Sequence, residues 1–315
     1  MMDGENIKDI NVNVSEGAEP ARKVERATFG PGGNSESFYG EGFKSSLQAP
    51  AWLASRGLDA YEYQAGNGLT AGEKSLRAVG EEARKHNILM SLHTPYFISL
   101  SGIETEKRLK SIDYIKKSLF AAECLGADTI VIHSGSAAKI SRREAMDLAK
   151  DTLNKTIEAV GDTNIRLGLE TMGKVNQLGT LEEVIELCRV DRHFVPVVDF
   201  GHLNARNIGG YFTDVDSYRK VFDMIAVELG DDIAKYLHCH FSKIEYTSAG
   251  EKKHLTFADS VYGPDFEPLA EAIAREGLTP RIICESAGTM AEDAAAIKAA
   301  YNRFLKYRGR AICQS

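Results

Sequence analysis

Eight short apolar runs divide this chain of 315 residues, and each is followed by a stretch of helical length. The runs are RATFGPGG, AYEYQAG, NILMSLH, DTIVIHSG, IRLGLETM, FVPVVDFGH, AKYLHCHFSKI and PRIICES. Each is rich in Val, Ile, Leu or Tyr and closes on Gly or a polar residue, as a short buried strand does. The intervening stretches run from SSLQAPAWLASRG, with the single Trp52, to MAEDAAAIKAAYNRFLKYR. They repeat apolar residues at three and four positions, the period of a helix lying on a sheet. Gly126, Gly230 and Gly277 stand where such helices would be capped. Eight strand-then-helix units are the count of a closed (β/α)8 TIM barrel, an α/β fold in a single domain over residues 25–315. An open doubly wound sheet is the alternative, but it gathers ligand groups at one switch point and not on strand after strand. Residues 1–24 are polar and aperiodic, and are expected to form a disordered tail that can be deleted without loss.

The ends of these strands carry the chemistry. Six of them close on a group that can bind a metal: SLH at His93, VIH at His133, GLE at Glu170, VVD at Asp199, LHCH at His238 and His240, and ICE at Glu285. A barrel presents its active site at the carboxyl ends of its strands, so these groups converge on one rim. A carboxylate inside an apolar strand such as IICE or VPVVD is costly unless paired or coordinated. Lys243 is available to pair with one of the three carboxylates but not with all. His238 and His240 are two apart, so both point into the barrel and Cys239 faces the helices as a packing residue. Of the other histidines, His202 and His254 lie just past strand ends, while His86 and His193 have structural settings. The ligand inventory is His93, His133, Glu170, Asp199, His202, His238 and Glu285, joined by His240, Glu251 and His254. It exceeds the three or four ligands of one zinc ion and suits two or three divalent ions, zinc or manganese.

Composition narrows the setting. Hydrophobic residues make up 43% of the chain, enough for a large core, and the net charge is −7. Such a surface has no general attraction for nucleic acid or anionic membrane, although bound cations would add local positive charge. The five cysteines form no CxxC pair, the pattern of free thiols in a reducing cytosol, so a cytoplasmic protein is expected. No apolar run approaches a membrane span. A monomer is expected.

The order His, His, Glu, Asp-x-x-His, His, Glu on successive strands resembles the endonuclease IV family of abasic-site endonucleases, within the xylose isomerase-like barrels. The resemblance runs from about Arg26 to the last helix. HTPYFISLSG is similar to the family's histidine–tyrosine segment, which implies His93 as ligand and Tyr96 as a wall of the substrate pocket. VIHSGS resembles the HPGS segment and gives His133; LETMGKVNQLG gives Glu170 as a bridging ligand; VVDFGH resembles DTCH and gives Asp199 and His202. LHCHFSK resembles HLNDAK and gives His238 with the accompanying Lys243, while CESAG gives Glu285. The resemblance implies one metal on His93, His133 and Glu170, and a second on Glu170, Asp199, His238 and Glu285. A third would sit on His202 and an Asp-x-His pair.

That last pair is altered here. The matching stretch reads GEKKHL, with Glu251 in place of the aspartate, Lys253 in place of the histidine, and His254 one position late. Either Glu251 and His254 remodel the third site, or Lys253 supplies its positive charge in the ion's stead. DTCH has become DFGH, and the loop QAGNGL lacks the arginine that the family inserts into DNA. The leading expectation is a metal-dependent phosphodiesterase cutting DNA 5′ to abasic sites, with Glu170 and Glu285 catalytic and Tyr96, His240, Lys243 and Lys253 contacting substrate. A sugar isomerase or epimerase using one metal is the alternative. In that case Glu170 and Glu285 would move protons and the extra histidines would touch substrate. A non-enzymatic metal-binding or ligand-sensing barrel is the third reading.

Overall fold

The computed structural model describes the backbone of residues 24–312 and the side chains through Tyr307. The expected tail, through residue 23, lies outside the described residues, as does Cys313. In chain order the strands are β1 (Thr28–Pro31), β2 (Ala60–Gln64), β3 (Leu89–His93), β4 (Thr129–His133), β5 (Arg166–Glu170), β6 (Phe194–Asp199), β7 (His238–Phe241), β8 (Lys243–Thr247), β9 (Gly250–Leu255) and β10 (Arg281–Cys284). All but β8 and β9 run parallel in one sheet ordered β1-β10-β7-β6-β5-β4-β3-β2. The sheet closes on itself where β1 meets β2, through a parallel bridge between Gly32 and Glu62. Gly30 makes that seam possible, since a Cβ there would lie 1.8 Å from the carbonyl oxygen of Ala60. The result is the TIM barrel expected from the sequence.

The eight expected helices are present, among them Glu73–Lys85, Thr105–Leu125, Arg142–Val160 and Val215–Leu229. Capping boxes at Ser141, Thr180 and Asp214 set three of the starts, because each side chain accepts from the third helical N–H. Gly126 and Gly277 end theirs in the left-handed conformation. Three short helices, Glu36–Gly40, Phe200–Arg206 and Asp231–Lys235, and the antiparallel β8–β9 hairpin were not foreseen. The helices are one to two turns long, too short to establish a period.

Strand alternation sorts the residues into two environments. Met90, Leu92, Ile130, Ile132, Leu167, Leu169, Cys239, Phe241, Ile282 and Cys284 join the hydrophobic cluster between strands and helices. Their neighbours face the barrel interior, which is largely polar. At its amino-terminal end Arg281 reaches across from β10. Its guanidinium donates to Asp128 at 2.8 and 2.7 Å and to the carbonyl oxygen of Met90 at 3.1 Å. Arg166 adds a second cation 3.5 Å from Asp128. Burial pushes the Asp128 carboxyl up, but Arg281 and Arg166 outweigh it and hold the group well below the usual carboxylate range.

This pair spans the barrel, so its loss leaves an uncompensated guanidinium. Asp128→Asn is expected to lower unfolding free energy at neutral pH by about 3 kcal/mol. A carboxylate with a depressed pKa contributes fully above its unfolded value of about 3.9 and loses that contribution as pH falls toward the folded value. The gap between wild type and variant in urea unfolding should therefore narrow below about pH 4. A gap that stays constant into acid would show that the ion pair is not its source.

Candidate metal centre

At the carboxyl ends of the strands, Glu170 is wholly buried and its two oxygens face different groups. Oε2 lies 3.4 Å from His93 Nε2 and 3.4 Å from His133 Nε2, and has no hydrogen-bond partner. Oε1 lies 3.0 Å from His240 Nδ1 and 3.5 Å from His202 Nδ1. Among the described residues five overlapping groups have ligand atoms within 4.8 Å of one another: His93, His133 and Glu170; Glu170, Asp199, His240 and Glu285; His202, Glu251 and His254; His93, His240 and Glu285; and Glu62, His238 and His240. Ligands at the corners of a zinc tetrahedron with bonds of about 2.0–2.1 Å stand roughly 3.3 Å apart. The separations of 3.4 Å in the first cluster, and of 3.5 Å between His202 Nε2 and Glu251 Oε2, match that edge. Asp199 Oδ2, like Glu170 Oε2, is buried with no hydrogen-bond partner. Anionic oxygens out of water and without donors fit a site for cations.

Backbone carbonyls orient the rings. His93 Nδ1 donates to the carbonyl oxygen of Thr94 at 3.0 Å, and His202 Nδ1 to that of Thr171 at 2.9 Å. Each thereby directs Nε2 at its cluster, the arrangement found behind metal-binding histidines. His202 gets its place from the short helix Phe200–Arg206, where Asp199 is the N-cap and accepts from the His202 N–H at 2.7 Å. Asp-x-x-His is thus a capping spacing as well as a ligand spacing.

The charge balance agrees with the geometry. Burial pushes the His93 imidazole down, but the adjacent carboxylate of Glu170, with Glu285 and Glu62, raises it to about 9. Burial likewise disfavours charge on His202, yet Asp199, Glu170, Glu251 and Glu285 raise it to about 9. His133 goes the other way, to about 3, because burial and the neighbouring imidazoles outweigh Glu170. Burial and the charge of Glu170 lift the Glu285 carboxyl above its usual range, while His240, His254 and His93 oppose the shift. The excess of carboxylates draws protons onto imidazoles that metal ions would displace.

The third cluster depends on an irregularity. Glu251 and His254 are three apart, and in a regular strand they would face opposite ways. In the β8–β9 hairpin Glu245 pairs with Lys253 and Tyr246 pairs with Glu251, which leaves Lys252 as the extra residue of a β-bulge. The bulge turns Glu251 and His254 to the same side. His254 Nε2 lies 3.8 Å from Glu251 Oε1, its Nδ1 is 2.9 Å from Ser242 Oγ, and its ring meets His202 edge-on. The loop after β5 closes over this cluster, held by Arg206, which donates to the carbonyl oxygens of Met172, Lys174, Val175 and Gln177. Gly173 in that loop allows the approach, since a Cβ would lie 2.6 Å from Glu251 Cβ and 2.9 Å from His202 Cδ2.

Three expectations need correction. His238 does not join the quartet with Glu170, Asp199 and Glu285; His240 does. Residue 240 pairs in register with Asp199, whereas residue 238 pairs with Val197, one layer deeper, and His238 Nε2 bonds Glu62 Oε2 at 2.9 Å. The second histidine of LHCHFSK, not the first, stands level with Asp199. Lys243 pairs with Asp265 at 3.1 Å and donates to the carbonyl oxygen of Asp259 at 2.7 Å, away from the buried carboxylates. Lys253 is 61% exposed and pairs with Glu245, so the bulge that brings His254 in turns Lys253 out. Tyr96 sits at the mouth, with its ring centroid 5.7 Å from that of His133 and 5.8 Å from that of His93. Glu62 was missed altogether. It lies mid-strand in AYEYQ, where nothing in the sequence marks it as interior-facing.

The model of the xylose isomerase-like TIM barrel family matches residues 50–306. An uncharacterised protein of Methanocaldococcus jannaschii is 30% identical over 215 residues, 68% of this chain and 75% of that one. A protein of Acholeplasma laidlawii named probable endonuclease 4 is 29% identical over 198 residues, and the chain spans 65% of its length. Among solved structures, a D-tagatose 3-epimerase-like protein superposes with a TM-score of 0.66 at 19% identity, over 90% of this chain and 99% of the other, a likeness of fold. No helix among the described residues is long and apolar enough to cross a membrane. The chain belongs to the xylose isomerase-like TIM barrel family.

Proposed function

We propose that this protein is a metal-dependent phosphodiesterase that cuts DNA on the 5′ side of abasic sites, leaving a 3′-hydroxyl, with two or three zinc or manganese ions. The reading rests on one observation: imidazole–carboxylate clusters flank the Glu170/Asp199/His240/Glu285 quartet, whereas a single-metal enzyme needs the quartet alone. The relative named probable endonuclease 4 supports it. When bound, divalent ions supply an acidified water and stabilise charge on the transferring phosphoryl group. The chain's own residues hold and orient. Glu170 would bridge two ions through its opposed oxygens, Asp199, His240 and Glu285 would complete one of them, and His202, Glu251 and His254 would hold a third. Tyr96 offers an aromatic face over His93 and His133 against which a sugar or base can pack. Two or three dications would offset locally the net charge of −7.

A second reading, a single-metal sugar epimerase, is favoured by the completeness of the quartet on its own. There Glu170 and Glu285 would exchange protons with a carbon beside a carbonyl. Elemental analysis of protein purified without chelator, with assays on a duplex bearing one abasic site and on a ketohexose panel, separates the two. Two or three ions per chain with strand cleavage is expected. One ion with epimerisation and no cleavage would overturn the phosphodiesterase.

Glu170→Gln is expected to lower turnover at least a hundredfold and to reduce bound metal while circular dichroism stays unchanged. Full metal stoichiometry in that variant would count against the bridge. In the third cluster, His254→Ala should remove about one ion per chain and Lys253→Ala none. Gly173→Ala, which crowds Glu251, should mimic His254→Ala. If instead Lys253→Ala impairs turnover and His254→Ala leaves metal content unchanged, the centre is dinuclear.

A further inference from the structure

Below the quartet, Glu62, Ser91 and His238 form a buried network that reaches His240. Glu62 on β2 stands in register with Ser91 on β3. Its Oε2 accepts from Ser91 Oγ at 2.9 Å and lies 2.9 Å from His238 Nε2. Its Oε1 has no hydrogen-bond partner and lies 3.0 Å from His240 Nε2, which has none either. The contact is an ion pair set off the ring's N–H line. Both groups are wholly shielded from solvent. At that depth two unpartnered polar atoms in contact have no water to turn to, so each is the other's only compensation. The opposite nitrogen, Nδ1, is the one that faces Glu170 Oε1 at 3.0 Å and Glu285 Oε2 at 3.5 Å.

We propose that Glu62 is a positioning residue for the metal centre. Clamped by Ser91 and His238, its carboxylate holds the Nε2–H side of His240 so that Nδ1 is presented to the quartet. A histidine can offer either nitrogen to a metal, and the partner of the other decides which; at His240 Nε2 that partner is the Glu62 carboxylate, paired by charge at 3.0 Å. For His93 and His202 a backbone carbonyl performs that task. His240, in the middle of the barrel, has no carbonyl in the same role, and a carboxylate takes it. This also explains His238: it secures the residue that secures the ligand. Removal of such an outer partner typically costs 10- to 100-fold in metal affinity. The inference rests on the quartet's holding a cation, which both readings above share.

The test uses the full chain loaded with zinc. Affinity is measured by competition with a chromogenic chelator, and the His240 ring nitrogens are observed by long-range 1H–15N NMR. Glu62→Gln is expected to weaken one zinc site about 10- to 100-fold, leave the others within threefold, and alter the His240 Nε2 resonance. Its melting temperature without metal should fall, since His238 and His240 lose the buried carboxylate that both of them face. His238→Gln, which keeps a donor near the Nε2 position, should retain affinity within threefold, whereas His238→Leu should lose it as Glu62→Gln does. The two His238 variants decide the matter if Glu62→Gln does not fold. Unchanged zinc affinity and an unchanged His240 resonance in Glu62→Gln overturn the proposal, as does equal affinity in His238→Gln and His238→Leu. Wild-type protein that binds no zinc at the quartet overturns this inference and the metal-centre reading together.

Discussion

Everything at the upper end of this barrel is arranged around the buried carboxylate of Glu170. An anion with no exposed surface must be met by positive charge or donors, or it will not stay ionised. Glu170 meets four imidazoles, two at each oxygen, at 3.0–3.5 Å. Those imidazoles come from β3, β4, the helix after β6, and β7, so one side chain ties half the barrel's rim together. The same opposition of oxygens suits a bridge between two cations. The surrounding carboxylates raise His93 and His202 to about 9, which shows how strongly the site favours positive charge.

The interior follows from that choice. Many barrels of this fold fill the inside with layers of Val, Ile and Leu. Here the layers are an Arg281–Asp128 pair at the bottom, Ser91, Glu62 and His238 in the middle, and the candidate ligands at the top. Apolar burial is carried instead by the outer faces of the strands against the helices, where Leu92, Ile130, Leu167, Phe241 and Ile282 are wholly buried. Strand alternation keeps the two programmes largely apart: most inward positions carry polar groups, with Val131, Val197 and Ile283 as buried apolar exceptions.

That division explains what could be read from the sequence. The eight strands were legible because their outward residues form dense apolar runs, and the helices because their period persists over many turns. His93, His133, Glu170, Asp199 and Glu285 were legible because each closes a strand, where the fold places its chemistry. Register was harder. His238 and His240 satisfy alternation equally well, and only pairing with β6 shows that residue 240 lies level with Asp199. Glu62 was invisible for a related reason: a carboxylate in mid-strand cannot be told from a solvent-facing residue until the sheet is seen to close around it. The third cluster was half legible. Its residue types were present, but Glu251 and His254 share a face only because of a bulge at Lys252, and a bulge leaves no mark in a stretch as short as GEKKHL.

The bulge also shows how a candidate ligand pair three residues apart can share one face. Moving the histidine one position along a regular strand would turn it to the opposite face and present Lys253 in its place. Adding one residue to the hairpin on that strand alone restores the facing of His254 and carries Lys253 outward to Glu245. Hairpin and loop must then fit each other closely. Glu251 N–H donates to the Gly173 carbonyl oxygen at 3.0 Å, and Val175 N–H to that of Ala249 at 3.0 Å. Arg206 fixes the loop from the helix that also carries His202. A single helix thus positions one member of the third cluster directly and another through the loop it holds. Geometry in that cluster is inherited from the Asp199 cap that starts the helix, and so from the quartet itself.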